Sequence, residues 1–157
     1  MAALLSELLK DDSEKNNTKL SYNKGLVYRV KLYETDGIVL LNGYKSRDKF
    51  CVIIGHHKNG DAIGAIIINS KINSNVNISP ELKIQHYPLR KDKYSSFLSK
   101  NSHAQCNDIF RIPYDRLLAE NYLGIIDDDD LELIIENMTN KNSSVPPKKL
   151  KQYNIIK

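Results

Sequence analysis

The chain has 157 residues, 41% hydrophobic and 27% charged, with a net charge of +4, enough for one globular domain with a core of its own. Its longest apolar runs fall far short of the ~20 residues a membrane helix needs, and Met1 to Leu5 lack a basic leader while Glu7, Asp11 and Asp12 follow, so a cytoplasmic protein with no signal peptide and no membrane partner is expected. Charge is uneven: Lys83, Arg90, Lys91, Lys93 and Lys100 stand against Asp92 alone in residues 83–100, whereas residues 120–136 carry seven carboxylates and no cation, so an anionic partner would meet the middle of the chain.

Residues 2–10 place Ala2, Leu5, Leu8 and Leu9 at helical spacing, which predicts a short amphipathic helix, and Asp11 to Lys19 read as a linker. Residues 1–19 are thus a helix and linker, 20–140 the domain, and 141–157 a basic tail. From Gly25 the period changes to two, with Leu26, Tyr28, Val30 and Leu32 on one side of a strand and Val27, Arg29, Lys31 and Tyr33 on the other. Glu34 to Ser46 is a long excursion containing the turn dipeptides Asp36-Gly37 and Asn42-Gly43. Loops of this length are often functional.

Asp48 to Asn73 organises the rest. Cys51-Val52-Ile53-Ile54 and Ala65-Ile66-Ile67-Ile68 flank Asn59-Gly60, a hairpin signal with a two-residue type I′ turn. In that register His56 faces Ile63, Val52 faces Ile67 and Lys49 faces Ser70. Lys49 and Ser70 would then lie roughly 5 Å apart at Cβ, with Arg47 on the same side. Two cations and a hydroxyl at a strand end suit a phosphate, and they equally suit the place where a core stops. A bulge would undo the pairing.

Ser70 to Ser79 read as a loop. Leu82, Ile84 and His86 alternate with Lys83, Gln85 and Tyr87 as a strand closed by Pro88. Arg90 to Lys100 interleave cations with Tyr94, Phe97 and Leu98, either a platform for bases and phosphates or a solvated loop anchored by apolar residues. Ser102 to Cys106 and Ile109 to Ile112 predict two short strands around Asn107-Asp108, and Pro113 opens a helical turn through Leu117 and Leu118. Asp127 is the expected N-cap of a final helix, with Asp128 to Asp130 complementing its dipole and Leu131, Ile134, Ile135 and Met138 as its apolar stripe. No metal is needed to explain that aspartate run. The tail starts as a linker at Pro146-Pro147 and ends in a short helix using Leu150 and Tyr153. Cys51 and Cys106 have no metal-ligand spacing and read as buried free thiols.

Five or six short strands with helices at the ends predict an α+β, mainly β fold: a small, curved antiparallel sheet or barrel. The order of elements from Gly25 to Met138 resembles the MazF/PemK-like toxin superfamily of SH3-like barrels, which also includes the ToxN-type ribonucleases. Gly25-Leu26-Val27-Tyr28-Arg29-Val30 resembles its opening strand. Lys49-Phe50-Cys51-Val52-Ile53-Ile54 falls where the family has Arg-Pro and an apolar strand, so Lys49 replaces the arginine and Phe50 the proline. Ile67-Ile68-Asn69-Ser70 resembles the strand ending in Thr or Ser, and Asn69-Ser70-Lys71 the strand end of ToxN-type enzymes. Cys106, Ile109, Ile112, Arg116-Leu117, Gly124 and the helix at Leu131 are similar to the closing pattern.

The resemblance implies a metal-independent endoribonuclease, the toxin of a toxin-antitoxin pair, with no cofactor, an RNA substrate, a protein or RNA antitoxin, and a homodimer. RNA brings its own 2′-hydroxyl nucleophile, so the protein must orient the chain, move a proton and stabilise charge. Lys49 and Arg47 would stabilise the phosphate, Ser70 would hydrogen-bond it, and His86 would move the proton. Asn69, Lys71, Arg90, Lys91, Lys93 and Tyr94 would bind the RNA. His103 is weighed beside His86, each against an ordinary surface role. The alternative is a non-catalytic SH3-like module that binds RNA or protein, which lysine at the arginine position favours, since it lacks the bidentate fork. A third reading gives the functional role to the N-terminal helix and basic tail as docking segments.

Overall fold

Alternation from Gly25 onward becomes β1, Leu26–Tyr33, in which Tyr28, Val30 and Leu32 are buried while Arg29, Lys31 and Tyr33 are exposed. The computed structural model describes residues 22–36, 38, 40, 43–70, 85–141 and 143–157. The predicted N-terminal helix and linker, Lys71, Leu82 and Ile84 lie outside them. The other strands are β2 (Ser46–His56), β3 (Ala62–Asn69), β4 (His86–Leu89), β5 (Ser102–Pro113) and β6 (Tyr122–Ile125), followed by helices α1 (Asp128–Thr139) and α2 (Pro147–Gln152). Among the described residues the fold is therefore mainly β with two helices. The strands form one sheet in the order β4-β5-β3-β2-β1-β6, every pairing antiparallel.

The apolar runs of β2 and β3 are continuous because both faces of the central sheet are covered. On one face Val52, Ile54, Ile66 and Ile68 pack with Ile134 and Met138 of α1 and with Leu150 and Tyr153. On the other, Cys51, Ile53, Ile63, Ala65 and Ile67 pack with Tyr22, Phe110, Ile112 and Leu117. At about 1.5–3 kcal/mol per large apolar side chain removed from water, this two-sided core is the main source of stability. Both cysteines are free and buried, and burial pushes each thiol up to about 12.

The hairpin departs from its expected geometry twice. At the tip, the His57 amide donates to Ala62 O and the Gly60 amide to His57 O. Gly60 has φ of 73° whereas Asn59 does not have positive φ, so the loop is a wider turn with glycine in the left-handed position, not a type I′ pair. Lower down, His56 faces Ile63 as expected, but the register shifts between Ile53 and Gly55, and Val52 faces Ile66. Ile54 is the extra residue. This bulge moves everything below it by one position.

β5 is one strand, where two were expected. Asn107-Asp108 falls at a register shift against β3, between the pairs Ala65 with Phe110 and Ile67 with Gln105, and so forms a bulge instead of a turn. Pro88 likewise does not end a strand: it lies within β4, at the edge of the sheet, where the missing amide costs no ladder bond. β6 was not anticipated, being four residues long with a glycine in its interior.

Among the described residues the expected barrel is not closed by strand pairing, since β4 and β6 are opposite edges of the sheet. Side chains from residues 90–101 bridge the two edges. Tyr87 Oη of β4 donates to Asp130 Oδ1 at 2.6 Å, and the Tyr94 hydroxyl donates to Asp130 Oδ2. Lys93 Nζ lies 3.1 Å from Asp127 and 2.8 Å from Asp130. Phe97 lies against Gly124 of β6, where a Cβ would come within 2.9 Å of the ring. Asp127 does precede α1, but its side chain makes no capping bond and serves Lys93 instead.

The last residues complete the core. Pro147 opens α2, Val145, Leu150 and Tyr153 are buried, and the Lys58 amide donates to Gln152 O at 2.9 Å. Asn154 turns the chain with φ of 57° and donates from Nδ2 to His56 O at 2.8 Å.

Candidate functional site

Below the Ile54 bulge, Phe50 pairs with Ile68, so the next residue of β2, Lys49, lies opposite Asn69. Lys49 Nζ donates to Asn69 Oδ1 at 2.9 Å. The anticipated pairing of Lys49 with Ser70 is therefore corrected: Ser70 lies one position beyond, past the end of β3, and is exposed. Asn69 Nδ2 in turn donates to Gln105 Oε1 of β5 at 2.8 Å. Lys49, Asn69 and Gln105 form one hydrogen-bonded row across three strands.

Two histidines extend that row. His103 pairs directly with Asn69 across β3 and β5, which puts both side chains on one face roughly 5 Å apart at Cβ. His86 pairs with Gln105 across β4 and β5, one strand further out. The two imidazole rings meet edge to face at 6.5 Å between centroids. Burial lowers the pKa of both histidines, and for His86 the proximity of His103 lowers it further. Both are accordingly neutral at pH 7. His86 Nδ1 is buried and has no hydrogen-bond partner among the described residues.

Arg47 and Lys49 bring the positive charge. Both line a cavity of about 200 Å³ together with Ile38, Asn69, Gln105 and Phe110. Lys49 is half-buried, and burial, followed by the charge of Arg47, lowers its pKa. A lysine with reduced pKa is a stronger proton donor than an exposed one. The face thus combines two cations, two amides that fix one of them, and two neutral imidazoles. That set can bind a phosphodiester and move a proton beside it.

The other expected RNA-binding residues are placed elsewhere. Lys93 and Tyr94 belong to the bridge to Asp130, and Tyr94 is buried, so its ring is no platform for a base. Arg90 is paired with Asp92 at 2.5 Å. Lys91 is exposed, its amide donating to Asn101 Oδ1. Gln105 was missed and His103 was left out of the expected catalytic set. The usable signal for both was the alternation Ser102 to Cys106, which puts residues 103 and 105 on the face opposite buried Ala104 and Cys106.

Among the described residues, no three His, Cys, Asp or Glu side chains converge in a way that would hold a metal, and no helix is long and apolar enough to cross a membrane. No family model matches the chain, and no curated protein matches it.

Proposed function

We propose that this protein is a metal-independent endoribonuclease of the MazF/PemK-like, SH3-like type, acting as the toxin of a toxin-antitoxin pair and working as a homodimer. The row Lys49, Asn69, Gln105 with His103 beside it is the observation that carries this reading. In the reaction, the RNA 2′-oxygen attacks the adjacent phosphorus while its proton passes to a neutral imidazole. The bond from phosphorus to the 5′-oxygen breaks, that oxygen takes up a proton, and the products are a 2′,3′-cyclic phosphate and a 5′-hydroxyl. His103 is the base nearest the lysine in the register, and His86 stands behind it. Lys49 and Arg47 stabilise the charge that develops on the phosphoryl oxygens, and Lys49, with its lowered pKa, protonates the leaving oxygen. Asn69 positions Lys49.

On this reading the role that the resembling family gives to arginine falls to Lys49, which the Asn69 amide holds in place. One donor to an oxyanion is typically worth a factor of about 10²–10³ in rate, so Lys49→Ala should lower cleavage by that much. The test is incubation of the protein with mixed-sequence RNA in EDTA, wild type beside Lys49→Ala, with identification of the product ends. Cyclic phosphate ends from wild type alone support the nuclease. Absence of cleavage by folded protein that still binds RNA would favour the non-catalytic module.

A further inference from the structure

We infer that the RNA strand continues from the phosphate site round the end of β1 and β2 into a second cavity, which takes one unstacked nucleotide. This rests on the ribonuclease reading and adds a nucleotide subsite to it. Three cavities adjoin along the first residues of β2. The site cavity of about 200 Å³ shares Arg47 with one of about 380 Å³. That one shares Asp48 with a third of about 460 Å³. Arg47 and Asp48 point to opposite faces of the sheet, so the track passes from one face to the other. At the corner stands Tyr44, 66% exposed.

The cavity of about 460 Å³ is the second binding cavity, the one of about 380 Å³ being the passage to it, and it has the chemistry of a nucleotide site. Arg29 and Lys31 line it from the exposed side of β1. Among the described residues Arg29 makes a long hydrogen bond of 3.4 Å to Asn121 and no ion pair, and Lys31 makes no ion pair. Both cations therefore stay available to the two phosphates that flank one nucleotide. Tyr33 is 41% exposed, and the guanidinium of Arg116 lies 5.5 Å from its ring centroid. Asp36 fixes Arg116 at 2.7 Å and accepts the Tyr33 amide at 2.7 Å, so the aromatic platform is held before any ligand arrives. A volume of about 460 Å³ is in the range of small-ligand sites. The carboxylates of Asp48 and Asp115, which also line it, accept hydrogen bonds and so favour a base edge that donates.

The inference separates from general RNA affinity by variants on the second cavity. A short, labelled 2′-O-methyl RNA of mixed sequence, which cannot be cleaved, is titrated against the full chain by fluorescence anisotropy over a range of salt. Replacing Arg29 and Lys31 together by Gln should weaken binding about tenfold and reduce the slope of log affinity against log salt by about 1.4, at ~0.7 per phosphate contact on a single strand. Tyr33→Ala should weaken binding about tenfold with the slope kept, since stacking is not ionic. Circular dichroism checks that the variants fold, and Tyr33→Phe, which keeps the ring, should bind as wild type. Unchanged affinity in the Gln double variant and in Tyr33→Ala would overturn the inference. Tighter binding of duplex than of single-stranded RNA would do the same, because a base on Tyr33 has to be unstacked. If wild type cleaves no RNA yet the second-cavity variants lose binding, the subsite stands and the nuclease falls. If wild type cleaves and these variants bind normally, the nuclease stands and the subsite falls.

Discussion

Gly55 and Gly64 face each other across β2 and β3, and neither position has room for a side chain. A Cβ on Gly64 would lie 2.6 Å from Cδ1 of Tyr153, and one on Gly55 would lie 2.3 Å from the Tyr153 carbonyl oxygen. The pair lies on the turn side of the Ile54 bulge, in the same register as His56 with Ile63, and there hairpin and C-terminal segment are fitted together. Gly64→Ala should cost about 2–3 kcal/mol as overpacking, read as a lower urea midpoint. Tyr153→Ala should cost about 3 kcal/mol as lost packing. In the Tyr153→Ala background the glycine substitution should cost less, because the clash with the ring is gone and only that with Ile109 Cγ2, at 2.9 Å, remains. Equal cost in both backgrounds would show that the ring does not set the requirement.

The bridge centred on Asp130 should behave as a latch between the sheet edges. Burial would raise the Asp130 pKa, but the hydrogen bonds from Lys93, Tyr87 and Tyr94 outweigh it and hold the carboxyl below its usual range. A depressed folded pKa gives stability that is present above the unfolded value and is lost as pH falls through the folded one. Wild type should therefore lose stability below about pH 4 partly through this group, and Asp130→Asn should lose less over that interval, measured as Tm between pH 7 and pH 3. At neutral pH, Asp130→Ala leaves two tyrosine hydroxyls without their acceptor, at a cost of about 3 kcal/mol. A Tm within a degree of wild type would show that water replaces the carboxylate.

Much of this fold is legible in the residues. Period-two alternation found β1, the apolar stripe from Leu131 to Met138 found α1, and Leu150 with Tyr153 marked the C-terminal helix. The Ile54 bulge is not legible, because Val52 to Ile54 is uniformly apolar and any register buries it equally well. That one residue decided the site: it replaced Ser70 by Asn69 as the partner of Lys49. Asn107-Asp108 looked like a turn because local propensity favours one, whereas pairing with β3 on both sides keeps β5 continuous. The role of Tyr94 was invisible for a different reason. Only the return of α1 beside β4 brings Asp130 to it, at a sequence separation no local pattern records.

The site geometry separates Asn69 from Ser70. Asn69→Ala removes the acceptor that holds Lys49 Nζ and should lower kcat by about tenfold or more, as loss of positioning, with RNA affinity within a factor of about two of wild type. Lys49→Arg should restore part of the rate in that background, because a guanidinium reaches a phosphate without the amide. Ser70→Ala should leave cleavage as it is. A loss at Ser70 equal to that at Asn69 would mean that the hydroxyl, and not the amide, faces the substrate.

The histidines set the expected pH dependence. Burial lowers the pKa of His103, and burial together with the neighbouring His103 lowers that of His86, both from an ordinary 6.5. A base acts in its neutral form and Lys49 donates in its charged form, so cleavage should fall at low pH only below 6.5, through the lowered histidine value, and at high pH as Lys49, itself lowered from 10.5, loses its proton. His103→Gln should remove most of the rate, and His86→Gln should remove less, since His86 stands one strand further from Lys49. The same shifts bear on stability: between the folded and unfolded values the unfolded chain binds more protons, so stability is complete above about 6.5 and declines as pH drops through the folded pKa. Proton NMR titration of His86 tests the coupling directly, because in His103→Gln its midpoint should move up toward 6.5. A midpoint that stays put would leave burial as the only cause, and an acid limb above pH 6.5 would exclude both histidines as the base.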